Sequence, residues 1–181
     1  STPTDRPAVD LLDELGAGAF KIGSDDLVYT PFLKYVAAKG KPVIVSAGMA
    51  DAEDIERAVT TIRGAGNDQI CILHCVSLYP TPDDAVNLRK IPAMRGRYGV
   101  PVGFSDHSQG VTAALGAVAL GAAVVEKHFT LDRGMPGPDH RFSADPAELT
   151  AMVSEIRRLE DALGDPAIVP AQGEMDMRPV A

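Results

Sequence analysis

Two histidines close two apolar runs, Val102-Gly103-Phe104-Ser105-Asp106-His107 and Val124-Val125-Glu126-Lys127-His128-Phe129. Imidazole binds divalent metals near neutral pH. Side chains alternate faces along a strand, so Ser105 and His107 point one way, and Val124, Glu126 and His128 share a face of theirs. Adjacent parallel strands would bring both imidazoles to one end of a sheet, the start of a metal site. Other polar side chains also fall at the ends of apolar runs: Lys21 and Ser24, Ser46, His74 and Ser77. An unpaired lysine is costly to bury in an apolar run, so Lys21 points to an anionic partner. Glu126 has two readings: a carboxylate that orients a histidine, or half of an ion pair with a neighbouring strand. His74 reads as a packed strand-end histidine in preference to a third site histidine. Cys71 and Cys75, four apart in one run, read as reduced buried thiols, because their spacing makes neither a disulfide framework nor a zinc site.

The elements that must carry these groups alternate strand and helix five times. Asp5 caps a first helix from about Pro7, with Ala8, Leu11, Leu12 and Leu15 as its apolar face. Ala19 to Ser24 is a strand and turn. Thr30 and Pro31 read as N-cap and first helical residue, with Leu33, Val36 and Ala37 inward. Pro42 to Ser46 is the next strand, and Asp51 caps a helix whose Ile55, Ala58, Val59 and Ile62 recur at the helical period. Ile70 to Cys75 is the third strand. A weaker helix, broken or started by Pro92, covers Asn87 to Tyr98. Between the two histidine runs, Gln109 to Gly121 suits the helix that joins parallel strands. Gly134 to His140 is a long irregular loop. Asp145 opens a last helix with Leu149, Met152, Val153, Ile156, Leu159 and Leu163 on one face.

Continuous apolar strands suit a parallel sheet buried on both faces. Two architectures fit: a doubly wound five-stranded sheet, or five units of a TIM (β/α)8 barrel, whose complete form takes roughly 250 residues. No glycine-rich phosphate loop follows the first strand, as a doubly wound fold would usually show. Polar residues at every strand end favour the barrel, whose chemistry is collected from several strand ends.

The chain has 181 residues, 45% of them hydrophobic and 23% charged, which suits one globular core. With 17 basic and 25 acidic residues the formal charge is -8, an argument against nucleic acid or an anionic membrane as partner. No signal peptide and no apolar run long enough to span a bilayer is visible, and the expected location is cytoplasmic.

Phe20-Lys21-Ile22-Gly23-Ser24, Ile44-Val45-Ser46-Ala47-Gly48-Met49, His74-Cys75, Tyr79-Pro80-Thr81-Pro82, Gly103-Phe104-Ser105-Asp106-His107, Glu126-Lys127-His128-Phe129-Thr130 and Pro136-Gly137-Pro138-Asp139-His140 occur in this order. As an ordered set they closely resemble the N-acetylneuraminate (sialic acid) synthase family, which includes the legionaminate and pseudaminate synthases. The resemblance implies a TIM barrel followed by an antifreeze-like domain that reaches into the partner subunit of a homodimer. It implies an enzyme that condenses phosphoenolpyruvate with N-acetylmannosamine or a related N-acyl hexosamine and releases phosphate. The five strands would be the fourth to eighth of the barrel, with Ser1-Thr2-Pro3 as the end of the third. Residues 1–164 would be the C-terminal part of the barrel, and 165–181 a linker towards an antifreeze-like domain absent from the chain.

By the same resemblance, His107 and His128 match the two histidine ligands of a divalent metal: manganese first, with magnesium, cobalt or zinc as alternatives. Lys21, Ser24, Ser46 and Ser105 match positions that contact phosphoenolpyruvate, Thr2 adds one more, and Ser77, where some relatives carry Asn, donates to its carboxylate. Asp139 and Tyr79 would orient the sugar, with His140 either a further sugar contact or loop structure. Asp26 stands where many members have Glu, one methylene longer, at the acyl-sugar end. The competing expectations are a non-catalytic barrel fragment and another phosphoenolpyruvate-condensing 3-deoxy-sugar-acid synthase, against which the Gly137 to Asp139 loop argues. A five-stranded piece alone would expose two strand edges, invite edge pairing and fail to turn over.

Overall fold

The computed structural model describes residues 1–175, 177 and 178. Five parallel strands lie in sequential order: β1 (Phe20–Ile22), β2 (Val43–Ser46), β3 (Ile70–Cys75), β4 (Val102–Asp106) and β5 (Val125–Lys127). Helices α1 (Arg6–Glu14), α2 (Thr30–Ala37), α3 (Ala52–Gly64), α4 (Lys90–Tyr98), α5 (Thr112–Ala119), α6 (Pro146–Leu163) and the short α7 (Gln172–Met175) surround or follow the sheet.

The register decides which side chains meet. Lys21 lies opposite Ile44 and Ile44 opposite Cys71; Cys75 lies opposite Ser105 and Ser105 opposite Glu126. Neighbours in register point the same way, so Lys21, Ser46, Cys75, Ser105 and Glu126 share one face. The other face carries Phe20, Ile22, Val43, Val45, Ile70, Ile72, Val102 and Phe104, all buried in the core. β4 is buried on both faces, while towards the β1 edge the inner-face residues Lys21, Ile44 and Cys71 are half-buried.

That inner face is concave. Edge strands of a flat five-stranded sheet would lie four spacings apart, about 19 Å. Yet Lys21 Nζ of β1 lies 3.4 Å from Glu126 Oε2 of β5. The sheet is therefore a curled half-barrel, and its unreversed strand order excludes the doubly wound alternative. At the β1 edge the Lys21 amide donates to Ser1 O at 2.8 Å. Beyond β5, Phe129 bridges Ala144 in parallel.

The caps follow the sequence closely. Asp5, Asp51 and Asp145 each accept from first-turn amides, and Asp51 with Asp54 forms a full capping box. Four expectations need correction. On α1 the buried residue is Val9, while Leu11 and Leu15 are exposed. Polar contacts turn that helix: Asp10 accepts from Tyr35 and Lys39 at 2.7 Å each, and Asp13 pairs with Lys41 at 2.6 Å. On α2 the cap is Tyr29, and Thr30 is the first helical residue with no side-chain capping bond. The helix expected from Gln109 begins at Thr112, because Gly110 at φ 71° holds a turn that a helix cannot include. On α6, Met152 is buried but Val153 and Leu163 are exposed, since the eight-residue α5 covers only part of an 18-residue helix. The segment expected as a linker contains α7, and its residues 176 and 179–181 lie outside the described residues.

Candidate active site

The C-terminal mouth of the half-barrel holds a cavity of about 510 Å³. Lys21, Ser24, Ser46, Ser77, Tyr79, Ser105, His107 and His128 all line it, as do Gly23, Asp25, Met49, Cys75 and Glu126. Eight of the expected site residues therefore converge. Asp139 stands at the rim, its Oδ2 3.8 Å from His128 Nδ1. Thr2 is exposed and does not line the cavity; neither does Asp26, whose neighbour Asp25 does. Burial, with the charge of Asp25 beside it, raises the Asp26 pKa above the usual carboxylate value.

The two histidine rings lie 5.2 Å apart, centroid to centroid, at 64°. His107 Nδ1 is 2.8 Å from Val76 O. A carbonyl only accepts, so Nδ1 carries the proton and Nε2 is the free nitrogen. A backbone carbonyl holding the second ring nitrogen is the usual support for a metal-ligating histidine. Tyr79 stacks on the same ring with centroids 4.2 Å apart, which fixes its orientation. The two imidazoles titrate in opposite directions. Burial pushes His107 down, but the Cys75 thiol, the Val76 carbonyl and Asp106 outweigh it and raise the pKa. Burial and then the neighbouring His107 lower that of His128.

The donor set fits an open divalent-metal site with two protein ligands. Among the described residues no group of three or more His, Cys, Asp and Glu is placed to hold a metal ion. The remaining positions would fall to water or substrate, as in catalytic rather than structural sites.

On the other side of the cavity Lys21 meets Glu126, whose Oε1 accepts from Ser105 Oγ at 2.7 Å. Glu126 thus makes an ion pair, but with the far strand β1, not with an adjacent one. Ser24 Oγ accepts from the Gly48 amide at 3.0 Å and donates to Cys75 Sγ at 3.7 Å. Among the described residues Ser46 Oγ is buried without any hydrogen-bond partner. Buried hydroxyls rarely stay unsatisfied, so this orphan group marks where a ligand oxygen fits. Gly48 leaves no room for a side chain: a Cβ there would come 2.3 Å from Ser77 Oγ and 2.7 Å from Ser24 Oγ.

Sequence reasoning missed Cys75, Asp25 and Gly48. Cys75 shares the phase of Ser77 in a period-two strand, a signal that was present. Burial opposes its ionisation, but hydrogen bonds from His107 and Ser24 bring the pKa below the usual thiol value. His74 points the other way, as expected of a packed histidine: its Nε2 is 2.6 Å from Val86 O and its ring stacks on Phe104. Behind the site, Lys127 Nζ donates to Asp106 Oδ2 at 2.8 Å and to Ser108 O at 2.7 Å, with Asp106 fully buried. This buried pair joins β4 to β5 one residue before each histidine. His140 Nδ1 lies 2.7 Å from Thr130 Oγ1, which ties it into the loop.

The arrangement has counterparts among known proteins. The N,N'-diacetyllegionaminic acid synthase of Campylobacter jejuni is 45% identical over 91% of this chain and 50% of its own length. The N-acetylneuraminate-9-phosphate synthase of Homo sapiens is 39% identical over 90% of this chain and 45% of its own. The chain therefore spans about half the length of the curated relatives it matches. The N-acetylneuraminic acid synthetase of Leptospira borgpetersenii, solved with citrate, superposes with a TM-score of 0.92 at 38% identity, covering 99% of this chain and 62% of that one. The NeuB family profile matches residues 1–167. On this match, and on the half-barrel that gathers its motifs at one mouth, the chain belongs to the NeuB family.

Proposed function

We propose that the complete protein condenses phosphoenolpyruvate with N-acetylmannosamine or a related N-acyl hexosamine, forming a 2-keto-3-deoxy nine-carbon sugar acid and releasing phosphate. The observation that carries this reading is the convergence of two sets of groups in one mouth cavity. One set is a lysine and three serine hydroxyls, Ser24, Ser46 and Ser105, with Ser46 unsatisfied among the described residues. The other is two imidazoles and Tyr79.

The lysine and hydroxyl set suits a small dianion. Lys21 supplies charge, and Ser46 Oγ donates a hydrogen bond that it otherwise lacks. Glu126 holds the Lys21 ammonium over the cavity before substrate arrives, so little reorganisation accompanies binding. The imidazole and Tyr79 set suits the sugar. Tyr79 and Asp139 orient its hydroxyls, and His107 and His128 would hold a divalent metal, manganese first. A metal there would act as a Lewis acid on the aldehyde of the open-chain sugar. Val76 O and Tyr79 keep the His107 ring in place for that role.

The names of several relatives support a synthase that forms acylated sugar acids. The partners are then phosphoenolpyruvate and an N-acyl hexosamine, with a second subunit of a homodimer closing the site and a cytoplasmic location. Among the described residues no helix is long and apolar enough to cross a membrane.

The experiment is a phosphate-release assay on the complete protein with phosphoenolpyruvate, N-acetylmannosamine and manganese. Turnover that depends on both substrates, and that His107→Ala abolishes, is the expected result. Phosphate release without sugar, or none with any N-acyl hexosamine, would overturn the proposal.

A further inference from the structure

The helix layer opens at its centre. α2 packs on α3, and α5 on α6, but α3 and α4 stand apart. They are bridged by the Tyr98 hydroxyl, which donates to Ala52 O at 3.1 Å, and by Arg63 Nη2, which donates to Tyr98 O at 3.3 Å. The gap is a cleft of about 740 Å³, within the size range of small-molecule sites. It lies behind the mouth cavity. His74 faces it from the helix side of β3, and the strand end Cys75 to Ser77 is the wall between the two spaces.

Three features set its chemistry. The lining is mainly apolar: Ile55, Met94 and Tyr98 contribute to it as buried residues, and Met49 and Leu78 as exposed ones. Lys90 and Arg97 also line it, seven residues apart on α4 and so on one face about 10 Å from each other. Neither has a carboxylate partner among the described residues. The one carboxylate in the lining, Asp51, is engaged: its Oδ1 accepts from the Glu53 and Asp54 amides at 2.9 Å each. Arg97 also borders Glu53 and Glu56 on the outer surface, which leaves Lys90 as the stronger anion anchor. Lys90 and Arg97 are both exposed, so their charges stand at the opening of an apolar cleft.

Position matters as much. β3 is the central strand, two strands from either edge of the sheet. Strands that continue the barrel at β1 or β5 would add at the sheet edges, away from this cleft.

We propose that the cleft between α3 and α4 binds a small apolar molecule bearing one anionic group. The body lies against Ile55, Met94 and Tyr98, and the anion meets Lys90. This site is separate from the mouth cavity and does not depend on the synthase reading.

The test is a titration of the complete protein with 8-anilinonaphthalene-1-sulfonate, an aromatic anion, read by fluorescence and by methionine-methyl NMR. Saturable binding that shifts the Met94 methyl signal, with the buried Met152 of α6 unmoved, is expected. The uncharged N-phenyl-1-naphthylamine should bind at least about five-fold more weakly, because it leaves Lys90 without a partner. Lys90→Glu, at the first turn of α4 where an acid suits the helix, should weaken sulfonate binding at least five-fold. Ala93→Trp should fill the cleft and remove saturable binding, with circular dichroism confirming the fold. Saturable binding indifferent to both substitutions would place the probe elsewhere and overturn the proposal. So would the absence of saturable binding to the unsubstituted protein, which would mean that the cleft is covered.

Discussion

Replacing Lys127 by Met should cost the fold several kilocalories, although it removes no surface-visible group. The Lys127 and Asp106 side chains are 4% and 0% exposed, and Nζ lies 2.8 Å from Oδ2. Lys127→Met keeps the apolar stem, one atom shorter, and removes the charge. Asp106 Oδ1 keeps its bonds from the Ser108 amide at 2.9 Å and hydroxyl at 2.6 Å, but Oδ2 and Ser108 O lose their donor. Breaking a buried pair by removing one partner typically costs about 3–5 kcal/mol. With a urea slope of about 2 kcal/mol/M, the unfolding midpoint should fall by roughly 1.5–2.5 M. Circular dichroism at neutral pH measures it directly. The double variant Asp106→Asn/Lys127→Met should recover part of the loss, because no unpaired charge remains buried. The shift should also be insensitive to salt between about 0.05 and 0.5 M, since buried pairs are poorly screened. A loss below about 1 kcal/mol, or one that salt removes, is what a solvated surface pair would give and would refute the reasoning.

Gly48→Ala should disturb the site more than the fold: its Cβ meets Ser77 and Ser24 hydroxyls, so phosphoenolpyruvate binding should fall at least ten-fold by calorimetry, while thermal melting reports about 1–3 kcal/mol lost. Lys21→Met should weaken phosphoenolpyruvate more than the sugar in steady-state kinetics; equal losses would contradict the role proposed for Lys21. Burial lowers the His74 pKa, the Val86 carbonyl opposing it. Its folded value thus lies below the unfolded one near 6.5, so its contribution is complete above about pH 6.5 and is lost as pH falls below it. Melting temperature should accordingly drop more steeply from pH 7 to 5.5 in the unsubstituted protein than in His74→Gln. His107→Ala should reduce manganese affinity, read by paramagnetic relaxation of water, at least ten-fold; unchanged affinity would remove His107 from the ligand set.

Local periodicity carried much of this protein. The phase of Ser105 with His107, and of Glu126 with His128, follows from strand alternation alone, and the structure keeps every one of them on the inner face. The Asp5, Asp51 and Asp145 caps were equally legible, because a cap is a contact between residues three apart. Where periodicity ends, the sequence lost resolution. The loop after β1 has no repeat to decide between Asp25 and Asp26, and the turn at Gly110 delayed a helix that composition alone would start earlier.

The sequence by itself determined the order of the elements, the inner face of each strand and the family to which the motifs point. Only the tertiary structure decided which of those inner-face groups meet. Lys21 and Glu126 sit on opposite edges of the sheet, and no spacing along the chain predicts that they pair. Their contact comes from curl, the accumulated twist and coil of five strands, which brings the edges together across the concave face. The same curl gathers Lys21, Ser46, Cys75, Ser105 and Glu126 around one cavity.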